Sequence, residues 1–271
     1  MCWKECVVIY FVEGIPGGGK STFSRQLFVQ LDNSVYYKEE YNNPIDLLRQ
    51  AVLAENEYNA LLRHLESICA KDEYACISQY ADSSVTRLNG MAFFPFVHAP
   101  TQSKAARQVL DALFYKEVDD GMASQAVYRD ILKSRIKKFV LTQNRNTDYI
   151  FEGALFHNPL YTLLGFYSNT MGDIIDFYRE IYDILRDTDY TVLLLSPKDI
   201  PGVLQKTVAA RRKCTDFNWL DGFNRWFSLS KNYRSYSGIS GLVRFSEEMA
   251  DIQNAIVKSV PFHYQLIQRE E

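Results

Sequence analysis

A chain of 271 residues that is 47% apolar can bury a substantial core, so one globular α/β domain spanning residues 1–271 is the first expectation. A formal charge of −3 without any basic run excludes the electrostatic footprint of a general nucleic-acid binder and directs attention to a small-molecule partner. The five cysteines, Cys2, Cys6, Cys69, Cys76 and Cys214, are odd in number and form no CxxC pair, which argues against a disulfide framework and a zinc module and fits reduced, cytosolic thiols.

The first apolar run, VVIYFV (7–12), is short and β-branched and reads as a buried strand. It runs straight into a glycine loop without a small-residue cleavage site, so it is a poor signal peptide. No segment approaches the roughly 18 apolar residues of a membrane span. After the loop, STFSRQLFVQL has helical spacing, SVYY (34–37) reads as a strand, and the stretch from Pro44 to about Ala70 reads as a helix. Residues 71–101 show no clean period and contain Gly90, Pro95 and Pro100, so an irregular, substrate-side excursion is expected. Then come the helix SQAVYRDILKSRIKKFVL, the strand YIFEG (149–153), the helix DIIDFYREIYDILR, the strand YTVLLLS (190–196) and the helix VLQKTVAARRK. Residues 214–243 carry Trp219 and Trp226 among Asp, Asn, Gly and Ser, a mixture expected of a mobile flap. The helix RFSEEMADIQNAIVKSV and the strand FHYQLI (262–267) close the chain. Alternating strands and helices predict a parallel sheet covered on both faces.

The stretch GIPGGGKST matches G-x-x-x-x-G-K-[ST], with Gly14 and Gly19 at the fixed positions, followed by Lys20 and Ser21. Glycines, here also Gly17 and Gly18, let successive backbone amides curl around a phosphate. The Lys20 ammonium reaches the β and γ oxygens, and the Ser21 hydroxyl can ligate Mg²⁺. The helix that follows adds its positive end, so Gly14, Gly17, Gly18, Gly19, Lys20, Ser21 and Thr22 are the expected ATP-binding residues. The fixed positions match by chance in a chain this long on the order of one time in a hundred, and both the strand before and the helix after are present. A GTP-binding switch is disfavoured because no Asn-Lys pair occurs, and a protein-kinase or aminoglycoside-kinase reading fails for want of HRD or H-x-D-x-x-x-x-N.

With these residues the chain resembles the P-loop nucleoside and nucleotide kinases, the group holding thymidylate kinases and deoxynucleoside kinases. The likeness is strong over residues 7–31 and looser in the order of elements to about residue 258. It implies the P-loop NTPase fold, with a five-stranded parallel sheet of order 2-3-1-4-5, helices on both faces and an arginine-bearing lid. It further implies ATP and Mg²⁺ as cofactors and a small-molecule acceptor as partner. From charge, hydropathy and the cysteines no nucleic-acid polymer, no membrane and a cytoplasmic compartment are expected, and a homodimer is compatible with the resemblance. In that group a carboxylate follows the second strand, an acidic-Arg pair ends the third, and the lid follows the helix after the fourth. The counterparts here are Glu39 or Glu40, Glu152, and Arg211 or Arg212.

The residues carry part of this reading themselves. Glu39 and Glu40 lie just past a strand at the carboxyl end of the expected sheet, where open α/β folds bind ligands and where a carboxylate can accept the proton of a substrate hydroxyl. Glu152 ends an apolar strand, a costly place for a charge unless it faces Mg²⁺ or its water shell, so Ser21 and Glu152 are the expected metal pair. Arg211 and Arg212 lie near a helix C-terminus, which favours cations, and either can offset charge on a transferring phosphoryl group. One departure stands out: Gly153 and Ala154 follow the acidic residue where those kinases carry arginine, which puts transfer onto a nucleoside monophosphate in doubt. Arg87 is the alternative supplier of that contact. Phe93, Phe94 and Phe96, with Tyr36 and Tyr37, offer a wall for a planar base, whereas His98 and His157 read as structural. The expected activity is transfer of the ATP γ-phosphoryl group to a nucleoside, a nucleotide or something of similar size, with Lys20, Glu39 or Glu40, and Arg211 or Arg212 as catalytic residues. The rivals are a P-loop NTPase in a regulatory or assembly role, which turns over without an acceptor, and an ATP sensor without chemistry.

Overall fold

The structure is a computed structural model that describes residues 8–39, 43–214 and 218–269. In chain order the elements are β1 (Ile9–Gly14), α1 (Lys20–Gln30), β2 (Ser34–Tyr37), β3 (Ala51–Ala54), α2 (Glu55–Ile68), α3 (Lys71–Ser84), β4 (Thr86–Leu88), β5 (Met91–Phe94) and α4 (Lys104–Asp111). There follow α5 (Gln125–Thr142), β6 (Asp148–Glu152), α6 (His157–Phe166), α7 (Met171–Leu185), β7 (Tyr190–Pro197), α8 (Ile200–Cys214), α9 (Trp219–Leu229), α10 (Gly238–Ser259) and β8 (Tyr264–Arg269). The chain divides into two compact units, one of Met1–Asp46 with Lys133–Glu271 and one of Leu47–Leu132.

The first unit is built on a five-stranded parallel sheet in the order β2-β6-β1-β7-β8. Side chains alternate between the two faces of a strand. Val12, Ile150, Leu193 and Leu195 therefore pack on one face with Phe23 and Leu27 of α1. Phe11 and Phe151, stacked at 5.6 Å, point the other way, where Phe139 of α5 meets Phe151 edge-on at 4.9 Å. Parallel register brings the carboxyl ends of the strands to one edge: Val12 pairs with Glu152, Gly14 with Leu195, and Pro197 with Arg269. Local signals start the flanking helices, as where Thr170 and Asp173 cap each other at the head of α7.

Numbered along the whole chain, this order departs from the expected 2-3-1-4-5, because three strands enter between β2 and β6. They form an antiparallel sheet of order β3-β5-β4 in the second unit. Residues 44–70 are therefore not one helix: turns lead to β3, and α2 starts only at Glu55. Nor are residues 71–101 irregular. They hold α3 and a hairpin whose two-residue turn is Asn89-Gly90, both at positive φ (52° and 74°), the strongest short-range hairpin signal. The buried positions of α3 are Glu73, Ile77 and Ala81, a charge among two apolar residues, so its apolar period is faint. Phe93, Phe94 and Phe96 are fully buried in this unit, so they serve as core and not as a pocket wall. Arg87 pairs with Glu55 at 3.3 Å and lies 5.3 Å from the Tyr58 ring.

Residues 218–243 likewise depart from an irregular flap, since they contain α9 and the first turns of α10, while residues 215–217 of the expected flap lie outside the described residues. Trp219, Phe223, Trp226 and Phe227 fall at helical spacing, and Phe227 is fully buried. Trp226 packs so closely on α6 that a Cβ at Gly165 would lie 2.5 Å from its ring. Among the described residues no helix is long and apolar enough to cross a membrane.

Candidate functional site

The site lies within the first unit, at the carboxyl edge of the parallel sheet. Strand β1 ends at Gly14, and residues 15–19 turn the chain into α1, with the Gly18 N–H donating to the Ile15 carbonyl at 3.2 Å. The turn needs glycine at two points: Gly17 and Gly19 have φ of 69° and 86°, and a Cβ at Gly17 would lie 2.8 Å from Thr207 Oγ1 of α8. Gly19 is the N-cap of α1 and supplies no side-chain cap, so the helix presents its leading amides towards the loop. Lys20 is 6% exposed, and its ammonium folds back to donate to the carbonyls of Ile15 (3.1 Å) and Gly14 (3.4 Å).

One residue further along α1, the Ser21 hydroxyl donates to Glu152 Oε1, while the Tyr36 hydroxyl from β2 donates to Glu152 Oε2. Glu152 is 2% exposed, so its carboxylate is held by two donors from two elements instead of by water. Burial, with the hydrogen bond to Glu152 second, raises the pKa of Tyr36. Glu39, just past β2, places Oε1 3.7 Å from Lys20 Nζ and 3.8 Å from His157 Nε2.

The same carboxylate accounts for the departure at position 153. Gly153 has φ of 68°, and a Cβ built on it would lie 2.5 Å from Glu39 Oε1. An arginine there would have to displace Glu39. The chain matches no protein-family model and no curated protein. The functional reading therefore rests on sequence and geometry.

The structure thus brings together Gly14, Gly17, Gly18, Gly19, Lys20, Ser21, Glu39 and Glu152. Glu40 lies outside the described residues. Thr22 is exposed on α1, and Arg211 and Arg212 are exposed on α8, with the Arg211 guanidinium 4.6 Å from the Trp219 ring centroid. Because Thr207 of α8 touches Gly17, that helix runs beside the loop.

Sequence reasoning missed three residues here. Glu13, fully buried one residue before Gly14, accepts the N–H groups of Leu155 and His157, each at 2.8 Å. Burial pushes its pKa from 4.5 to about 7, while those hydrogen bonds and Lys20 pull the other way. A carboxylate ending an otherwise apolar run was the available signal. His157, expected to be structural, sits against Glu39, and its Nδ1 is 2.9 Å from the Gly14 carbonyl. Since a carbonyl only accepts, Nδ1 carries the proton. Burial, then the Lys20 charge, holds the His157 pKa well below its ordinary value, so the ring is neutral. Arg269, at the end of β8, lies with Nη2 3.3 Å from where a Gly19 Cβ would be, which adds a cation beside the head of α1. Nothing local in the sequence marks it, because only the β7–β8 register carries it there.

Proposed function

We propose that this chain transfers the γ-phosphoryl group of ATP to a small acceptor, a nucleoside, a nucleotide or a metabolite of similar size. The observation that carries the reading is the glycine loop between β1 and α1, with Lys20 folded over it and Ser21 joined to the buried Glu152. With the inserted strands set aside, the sheet runs second, third, first, fourth and fifth, which supports assigning the P-loop NTPase fold. The loop amides, the head of α1 and Lys20 bind the phosphates, and Arg269 adds positive charge at Gly19.

Ser21 and Glu152 are the residues to hold Mg²⁺, and their touching oxygens fit an ion that takes one or two protein ligands and completes its shell with water and phosphate. When bound, Mg²⁺ offsets phosphate charge. Among the described residues no trio of His, Cys, Asp or Glu forms a metal cage, and an ion shared with phosphates does not need one. Glu39 takes the acceptor proton as the acceptor oxygen bonds to the γ-phosphorus and the bridging oxygen leaves with ADP. Arg211 or Arg212 approaches from α8 to offset charge in the transition state. A cytosolic enzyme with a soluble acceptor belongs to this reading, and a homodimer is compatible with it.

The test compares wild type with Lys20→Ala, measuring ATP binding and transfer from labelled ATP to a panel of nucleosides and nucleoside monophosphates. The expected result is transfer by wild type and loss of ATP binding in a variant that keeps its circular dichroism. Unchanged ATP affinity in the folded variant refutes the site, and ATP turnover indifferent to every acceptor reassigns it to hydrolysis.

A further inference from the structure

Tyr161 sits on α6 one turn after His157, so the two rings share a face of the helix, with centroids 5.0 Å apart. Phe223 and Trp226 of α9 and Phe245 of α10 hold the phenol ring, at 6.0, 5.2 and 5.1 Å. Its hydroxyl oxygen is sealed from solvent and has no hydrogen-bond partner. Burying a hydroxyl without a partner is unfavourable, and phenylalanine would fill the same aromatic cage without that cost.

The charges that act on this hydroxyl are those of the candidate site. After burial, which raises the phenol pKa most, the Glu39 carboxylate raises it further and the Arg211 guanidinium lowers it. Glu39 in turn lies beside Lys20 and His157. An unsatisfied donor thus lies on the ring that packs against His157, whose Nε2 is 3.8 Å from the carboxylate assigned to the acceptor.

We propose that the Tyr161 hydroxyl is a specificity-determining contact for the acceptor, donating a hydrogen bond to the oxygen of an uncharged alcohol whose own proton is directed at Glu39. The inference rests on the phosphotransferase reading above. An alcohol fits this pair because it accepts and donates at once, whereas Glu39 only accepts and the phenol is free to donate. A phosphate acceptor fits poorly: the Glu39 carboxylate repels a second anion, and Gly153 supplies no arginine to offset it. The acceptor class is therefore a nucleoside-like alcohol and not a nucleoside monophosphate.

The experiment compares wild type and Tyr161→Phe with ATP and Mg²⁺, using thymidine, deoxycytidine, deoxyadenosine and deoxyguanosine and their 5′-monophosphates as acceptors. Wild type is expected to phosphorylate at least one nucleoside and no monophosphate. The variant is expected to melt no lower than wild type and to keep the KM for ATP and the acceptor-free hydrolysis rate, while kcat/KM for the nucleoside falls about tenfold, as for one lost hydrogen bond. Wild type should also bind that nucleoside more tightly than its 5′-deoxy analogue, and the preference should shrink about tenfold in the variant, where only the hydrogen bond to Glu39 remains. Transfer by wild type with a nucleoside kcat/KM in the variant within about twofold of it, or transfer to monophosphates alone, overturns the Tyr161 assignment and leaves the kinase reading standing. Absence of transfer to every acceptor overturns both.

Discussion

Replacing Gly153 by alanine tests the geometry on which the site reading depends. The residue has φ of 68°, a left-handed conformation that costs roughly 1–2 kcal/mol for a residue with a Cβ. With about 2–4 °C of melting midpoint per kcal/mol, the backbone alone should lower the midpoint by roughly 2–8 °C. The new Cβ would also stand 2.5 Å from Glu39 Oε1, so the carboxylate must retreat by roughly 1 Å to reach ordinary van der Waals distance. A side-chain tip can do that cheaply in stability, but it leaves its positions 3.7 Å from Lys20 Nζ and 3.8 Å from His157 Nε2. Thermal unfolding should therefore report the backbone term, and acceptor turnover the displaced carboxylate, with ATP affinity changed little. Repeating the substitution in a Glu39→Ala background separates the two: the stability loss should persist and the additional loss of turnover should vanish, a non-additivity expected of touching residues. Equal stability of wild type and Gly153→Ala would show that the left-handed turn is wrong. An equal loss of turnover in both backgrounds would show that Glu39 does not mediate it.

Glu152→Gln should leave metal-free ATP binding nearly intact and lower Mg²⁺-dependent turnover by roughly 10–100-fold, a loss typical of disturbed metal ligation; turnover near that of wild type would make Glu152 a purely structural acceptor for Ser21 and Tyr36. Glu13 makes a pH prediction. Because its pKa is raised from 4.5 to about 7 in the folded chain, its favourable contribution is complete below pH 4.5 and is lost as pH rises towards 7, a change of about 3 kcal/mol. Denaturant midpoints at pH 5 and pH 8 should accordingly fall further for wild type than for Glu13→Gln, and parallel profiles would contradict the burial of an ionisable group there.

What the chain order determined by itself is local. Short β-branched or aromatic runs marked β1, β2, β6 and β7, helical spacing marked α1, α5, α7 and α8, and the glycine-lysine-serine spacing marked the loop between β1 and α1. Signals of the same kind were present but passed over in the Asn89-Gly90 turn and in the spacing of Trp219, Phe223, Trp226 and Phe227. Only the tertiary structure decided that Ser21 meets Glu152, 131 positions away, that Arg269 reaches Gly19, that Tyr161 packs between His157 and the aromatic rings of α9 and α10, and that Glu39 occupies the space an arginine at 153 would need. Periodicity reports that a face is buried, because burial selects apolar residues at fixed intervals. It carries no record of what that face is buried against, because a contact across parallel strands is set by register between segments far apart in the chain, and the polar groups that meet there follow no period.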